Sequence, residues 1–547
     1  MYLWLFPFIL YCMNKTIKSF MTVTGFSVAT RLTSFFFKMW MSRSLGAETV
    51  GLYQIALSII LLLFSLTAGA PTVLSRKVAG AEGDKRKQNA FVSATLIIGL
   101  VMGAVLLIVL YSCHSHLDGL FADDRCVKLF LIMLPTLLTS TLYQSLRSWF
   151  WGRKKFLAFS STEFLEEVVK IVLATCLAGG VVALDGGVAV AIAFTVSDLV
   201  CVLVLGVMFF VKGGRICRPT GTKEIIRSTL PLSTMRILTS LSATATALII
   251  PERLVASGMS LSFATAEYGR IAGMAFPLIM APATVISALA VVLIPDVASL
   301  AEKKDYESVK TKLKALLVFS ALVSGFFFML YLPFGKHLGK LFFGDEHAGE
   351  FISYCAPMVF PLALNHATTP ILNSLGLEKR TFINYIVGAV LMLPCILVLP
   401  KFIGVYSVAV GMGVAFTVSA VLSLVSLKKK LGDLRGVGKG LTAVGISLPL
   451  GVTAYFLNVI LVNFLGYWFS MVVTAFYVIF FFVIGVSAFN IVDVKGYLRL
   501  FTPAVSLSTK GKGDGQRLCR LPFKRRSKTL SSPQKPKFRP RLRNNPS

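Results

Sequence analysis

The chain has 547 residues, of which 55% are hydrophobic and only 15% charged, with a mean hydropathy of +0.76 and a formal net charge of +30. A water-soluble protein carries about a quarter of its residues as charges. The composition therefore excludes an ordinary soluble enzyme and points to an all-α chain that crosses a membrane many times.

Residues 1–12, MYLWLFPFILYC, are apolar but too short to span, and no charge precedes them as in a signal peptide. Met13 opens MNKTIKSF, so the segment before it reads as a start-site extension or a short interfacial helix. Apolar stretches of about 20 residues then recur. They fall at 20–42, 51–74, 89–111, 127–146, 156–180, 186–211, 228–250, 269–295, 313–334, 351–374, 382–400, 404–427, 441–463 and 467–490. About fourteen transmembrane helices are expected.

Loop charge tests this count independently, because Lys and Arg collect on the cytoplasmic side. The even-numbered connections are basic: RKVAGAEGDKRKQ after the second span, RSWFWGRKK after the fourth, KGGRICRPTGTKEIIR after the sixth and KKKLGDLRGVGK after the twelfth. Among the odd ones, SHLDGLFADDR is net acidic, the loops near Asp185 and after the thirteenth span have no base, and GKHLGKLFFGDEHAGE is mixed. The alternation predicts an even number of spans with both termini cytoplasmic.

The nine cysteines are scattered, with no C-x-x-C pair, so neither a disulfide framework nor a zinc site is expected. His114 and His116 form an isolated H-x-H in a loop. No metal or cofactor is predicted.

The two halves resemble each other. ATRLTS at 29–34 faces TMRILTS at 234–240, YQIA at 53–56 faces YGRIA at 268–272, and VLSRKVAGAE at 73–82 faces VLIPDVASLAE at 292–302. The order is preserved, so six spans are read as duplicated, both copies starting on the same side. The expected organisation is an extension at 1–12, a first six-helix bundle at 13–212 and a second at 213–427. Two C-terminal helices at 428–490 and a basic, disordered cytoplasmic tail at 491–547 complete it. From Lys495 onward that tail has 15 Lys/Arg against one acid, Asp514. Anionic membrane lipid, and no nucleic acid, is its expected partner.

Ionisable groups inside spans are costly in lipid, so they should face the cleft between the bundles. Arg31 and Lys38 lie two helical turns apart and share one face. Arg236 takes the place of Arg31 in the second copy, and Arg270 adds a cation near the start of the eighth span. These four are the candidate anion-binding residues, because a positive cleft with apolar walls suits a diphosphate on a polyprenyl tail. Secondary or coupling candidates are Arg43, near a span end, Arg76, Asp198, Asn365 and His366. Glu166 is expected to pair with Lys170, and Glu163 with Arg153 or Lys154. Pro231, Pro277, Pro282, Pro357, Pro361 and Pro370 should kink their spans. The aromatic VVTAFYVIFFFVIG of the last span offers a groove for a lipid tail.

GFSVATRLTSFFFKMWMSRSLGAETVGLYQ, RSWFWGRKK, TLPLSTMRILTSL and AEYGRIAGMAFPLIMAPATVISALAVVLIPDVASLAEKKD together resemble the stage V sporulation protein B family. That family groups with lipid II flippases in the multidrug/oligosaccharidyl-lipid/polysaccharide superfamily. The similarity runs from about Met13 to about residue 490. It implies a MATE-like fold of fourteen spans that moves an undecaprenyl-diphosphate-linked precursor outward for peptidoglycan, of the spore cortex or cell wall, beside cell-wall synthesis machinery. The resemblance matches flippase cavity arginines to Arg31, Arg270 and, roughly, Arg76. It departs where the lipid II flippases carry R-x-L-G-F-x-R-D: here R-L-T-S-F-F-F-K places the second cation at Lys38 and lacks the acid.

The leading expectation is thus a flippase working by alternating access and not an enzyme. A multidrug cation antiporter of the same fold would want acids in the cleft. A polyprenyl-linked glycosyltransferase or polymerase would want paired acids or a large external loop.

Overall fold

A computed structural model describes residues 15–113, 119, 121–179, 184–434 and 436–489. The 1–12 extension, His114, His116 and the tail at 491–547 lie outside the described residues. Among the described residues there are helices and no strands. The helices are α1 (Lys15–Thr67), α2 (Gly69–Gly80), α3 (Lys85–Ser112), α4 (Asp124–Met133), α5 (Thr136–Gly152), α6 (Phe156–Gly179), α7 (Gly186–Val211), α8 (Thr222–Ala256), α9 (Leu261–Gly269) and α10 (Phe276–Ile279). There follow α11 (Ala281–Glu302), α12 (Tyr306–Leu338), α13 (Glu346–Cys355), α14 (Val359–Ser374), α15 (Glu378–Val398), α16 (Pro400–Ile403), α17 (Ser407–Leu431), α18 (Val437–Leu465) and α19 (Tyr467–Ala488).

Nine helices among the described residues are long and apolar enough to cross a membrane, ten if α4 and α5, bent by 42° across their break, count as one span. The other expected spans have physical reasons to fall short. The first two are merged in α1, which is broken at Gly46 with φ 80°. That backbone conformation suits glycine because any Cβ would clash. Lys38 and Gln54, on either side of Gly46, line the same cavity, so the chain doubles back there. The 156–180 span falls short because α6 carries Glu163, Glu166, Glu167 and Lys170, 228–250 because α8 is rich in serine and threonine, and 351–374 because it is split at Pro357 into α13 and α14. The eighth is represented by α11, after a π-helical turn at Arg270–Ala275.

In the first half α6 packs on α7, α3 on α5 and α1 on α6; in the second, α11 packs on α14, α12 on α13 and α15 on α17. The α18 helix lies along α12, with α19 on α18. The halves meet where α1 packs on α8 and α9. There Gly51 and Gly269 let backbones touch: a Cβ on Gly269 would sit 2.1 Å from the Ala47 carbonyl oxygen. Such small residues are how membrane helices approach closely.

Two structural signatures recur in the halves. Asp84 caps α3 by accepting from the Lys87 N–H at 3.0 Å, and Asp305 caps α12 by accepting from the Ser308 N–H at 3.1 Å. The residue before each has positive φ, Gly83 at 95° and Lys304 at 58°. Asp123 and Asp345 likewise cap α4 and α13, each a helix of 10 residues interrupted at a proline, Pro135 or Pro357. Phe121 and Phe343, two residues before those caps, are both buried. Both pairs follow from one rule: an Asp side chain satisfies an orphan N–H of the first turn.

The pairs also define the two faces of the molecule. Lys154 lies 3.5 Å from Glu82 and Lys77 2.7 Å from Glu224, on what we term the basic face. Arg125 pairs with Glu48 at 2.5 Å and Asp123 at 2.7 Å on the opposite face.

Candidate transport cavity

Between the halves lies a cavity of about 470 Å³. The α1 helix contributes Lys38, Gln54 and Ser58, α8 contributes Ser240, Ser242 and Thr246, and α14, α15 and α17 contribute Asn365, Tyr385 and Ser419. Apolar walls come from Ile271, Phe276, Met392 and Phe416. Lys38 supplies the charge in this lining, which contains no carboxylate. Lys38 makes no ion pair among the described residues; its neighbour Lys170 is held by Glu167 at 2.9 Å and lies 5.6 Å from the Phe37 ring. Asn365 accepts through Oδ1 from Thr369 at 3.1 Å and Ser419 at 3.4 Å, which leaves its amide N–H groups as donors. A lone ammonium ringed by hydroxyls and amides, between apolar walls, can hold an oxyanion and the hydroxyls of a sugar.

Of the four cations expected in one cleft, this conformation brings only Lys38 into the central cavity. Arg31 is exposed at the seam between α1 and α11, where Nη1 donates to Thr284 Oγ1 at 3.5 Å. Arg236 faces a second chamber, lined mostly by helices of the first half. Arg270 is held by two carboxylates, Glu267 at 2.5 Å and Asp345 at 2.8 Å. Its guanidinium is thereby neutralised toward the opposite face. The physical reason for the division is helix 8, α8 in sequence order. Arg236 and Ser240 lie one turn apart on it, so the chambers succeed each other along this helix, Arg236 lining one and Ser240 the other.

The secondary candidates divide too. Arg43 donates through Nε to the Phe342 carbonyl at 3.0 Å and through Nη2 to that of Leu341. Ser42 donates to the Phe343 carbonyl at 3.0 Å. These are orphan carbonyls of the π-helical turn Gly339–Phe343 that ends α12, so one half caps a helix of the other. Phe35 adds ring contacts at 5.3 Å to Phe342 and 5.9 Å to Phe343. This latch joins the two halves at the opposite face. Arg76 is exposed on α2. Asp198 is buried and accepts from the Thr139 hydroxyl at the second chamber. His366 turns from the cavity to Ser287, with Nδ1 3.2 Å from Oγ.

Two pairings differ from expectation. Lys170 bonds Glu167, one turn away, and leaves Glu166 to the second chamber. Glu163 pairs with Arg147, whose guanidinium carbon lies 3.8 Å from the Phe159 ring centroid, instead of Arg153 or Lys154. Arg147 went unremarked in the sequence because it stands at the end of an apolar run, where snorkelling is the default. Gln54, Ser240 and Tyr385 carried no signal either, being single polar residues in apolar helices.

Outside the spans the caps are electrostatically tuned. The Lys87 backbone N–H holds the Asp84 carboxyl below its ordinary range, and the Ser308 side chain and backbone do the same for Asp305.

A polytopic all-α membrane protein with a polar cavity lined by helices from both halves of the chain has the architecture of a transporter. The family model described as polysaccharide biosynthesis protein matches residues 17–301, and the chain belongs to that family. A second model, MatE, matches residues 257–398. Stage V sporulation protein B of Bacillus subtilis (strain 168) is 24% identical over 404 residues, 70% of this chain and 77% of that protein. The fold is shared with a solved structure of the lipid II flippase MurJ in an inward closed conformation (TM-score 0.68, 13% identity, 85% of this chain and 98% of that one). A multidrug resistance MATE family transporter of the MOP superfamily gives 0.62 in its inward-facing conformation, at 16% identity over 74% of this chain and 95% of that one.

Proposed function

We propose that the chain is a flippase that carries an undecaprenyl-diphosphate-linked oligosaccharide or peptidoglycan precursor across the cytoplasmic membrane, for cell-wall or spore-cortex synthesis. No bond is made or broken; the two halves rock about the cavity and expose it to each side in turn. The observation that carries this reading is Lys38, an unpaired cation in an acid-free cavity between the halves. A charge at mid-bilayer costs about 2.5–3.5 kcal/mol on insertion scales, and an anionic head group offsets that cost. Arg31, two turns along the same helix and at the seam, is the next cation the head group meets.

On this reading the basic face is cytoplasmic, as are both termini, and the chain makes fourteen passes in bundles at 13–212 and 213–427, with helices 13 and 14 at 428–490. Arg43 and Arg270 close the outward side. Support comes from the basic turns, the family, and the relatives named as sporulation protein and lipid II flippase. A multidrug cation antiporter would place acids in the central cavity, whereas Asp198 and Glu166 line the side chamber.

Reconstitution into liposomes with labelled lipid II tests it. Transbilayer movement above that of protein-free vesicles is expected, falling in Arg31→Ala and Lys38→Gln with folding unchanged. Equal movement in all three proteins overturns the mechanism.

A further inference from the structure

The second chamber is the larger, about 610 Å³, lined by α1–α3 and α5–α7 of the first half and by α8 of the second. Its charges are of both signs. Arg236 enters from α8, is exposed, and makes no side-chain bond among the described residues. Asp198 on α7 and Glu166 on α6 line the same space. Asp198 is 6% exposed, with a neutral hydroxyl, Thr139, as its partner. The neighbouring cations have their own closer carboxylates, Arg147 with Glu163 and Lys170 with Glu167. A simple anion would meet two carboxylates, and a simple cation would meet a guanidinium. A head group that carries both signs satisfies each pole.

The chamber also opens sideways. The α3 and α8 helices pack near the basic face, where Phe91, Ala94 and Ile225 cluster. Deeper in, Met102 of α3 and Leu230 of α8 border the chamber while 43% and 68% exposed. Exposed apolar side chains at membrane depth face lipid. The ligand thus enters from the bilayer and keeps its chains there.

We propose that this chamber binds a zwitterionic phospholipid of the cytoplasmic leaflet, with its phosphate at Arg236 and its ammonium at Asp198 and Glu166. The acyl chains leave between α3 and α8. Because α8 lines both chambers, a lipid held at Arg236 bears on the helix whose next turns, at Ser240 and Thr246, face the transported head group. The site is distinct from the diphosphate site and does not depend on what the chain transports.

Trp151 lines the chamber and reports on its occupancy. Full-length protein is reconstituted in phosphatidylglycerol vesicles that contain, as a minor component, either phosphatidylethanolamine or phosphatidylglycerol with brominated acyl chains. The Trp151 signal is taken as the difference from Trp151→Phe. Brominated phosphatidylethanolamine should quench it more strongly by roughly twofold or more, the scale of one partly solvated ion pair. Asp198→Asn should abolish or reverse that preference, and Arg236→Gln should weaken quenching by phosphatidylethanolamine. The readout is a ratio between lipids in one protein, so a partial loss of folded protein does not alter it. Equal quenching by both lipids in the unaltered chain overturns the proposal, as does a preference that survives both substitutions. Displacement of the brominated lipid by a polyprenyl diphosphate at stoichiometric concentration also overturns it, because the chamber would then belong to the transported substrate.

Discussion

Lys38 shows how far a single residue can be read. Its helical register with Arg31 placed both on one stripe of the first span, and the structure keeps that stripe while dividing its ends: Lys38 enters the central cavity and Arg31 reaches Thr284 at the seam. The register was legible because helix geometry is local. The division was not, because it depends on α8 and α11, which lie far along the chain. Arg270 makes the same point. Glu267 lies one turn away and could be read, but Asp345 is brought in only by folding. A charge-assisted hydrogen bond contributes about 1.5–3 kcal/mol, so Lys38→Gln should slow lipid-linked diphosphate movement roughly ten- to hundred-fold. Lys38→Arg should recover most of that loss if charge is what matters. Initial rates in proteoliposomes check both, and an unimpaired Lys38→Gln beside an impaired Lys38→Arg would show a purely steric role.

Among the helices, long apolar segments were readable and interrupted ones were not. The α4–α5 and α13–α14 breaks follow Pro135 and Pro357, yet the bend also needs the Asp123 and Asp345 caps, a combination evident only when the halves are compared in space. The latch between Arg43 and the end of α12 is a contact of elements. In the proposed orientation Arg43→Gln should loosen the outward side, so a cysteine introduced at the buried Phe343 should react faster with a membrane-impermeant maleimide applied outside; an unchanged rate would show that Arg43 does not hold the turn. Gly269→Val should act more severely, since the added side chain meets the Ala47 carbonyl, and thermal unfolding in detergent should shift downward. The caps carry a pH dependence. Asp84 and Asp305 have depressed folded-state values, so their stabilisation is present above the ordinary carboxylate range and is lost as pH falls through the lowered values. The double variant Asp84→Asn, Asp305→Asn keeps the acceptor oxygens, and its melting temperature should fall less steeply than that of the unaltered chain on acidification.

For the molecule as a whole, composition was enough to assign the class, because an apolar chain of this length can satisfy its backbone in lipid only through helices or a closed barrel. The duplication is faint in sequence, three short matches; in the structure similar caps and broken helices recur at corresponding places. The chambers were legible only as single residues, Lys38 and Asn365 of one and Arg236 and Asp198 of the other; their division was not, because each is lined by helices distant in sequence. The central claim is that one cavity, centred on Lys38 and closed toward the outward side by Arg43 and Ser42, opens to the two sides in turn. The most direct measurement places a cysteine at Ser240 in a chain whose nine native cysteines are replaced. Labelling with an impermeant thiol reagent is then followed from each side, with and without lipid-linked diphosphate. The account predicts labelling from the cytoplasmic side at rest and a substrate-dependent gain from the outside, whereas labelling from one side only under every condition, or from both at once in a single population, would contradict it.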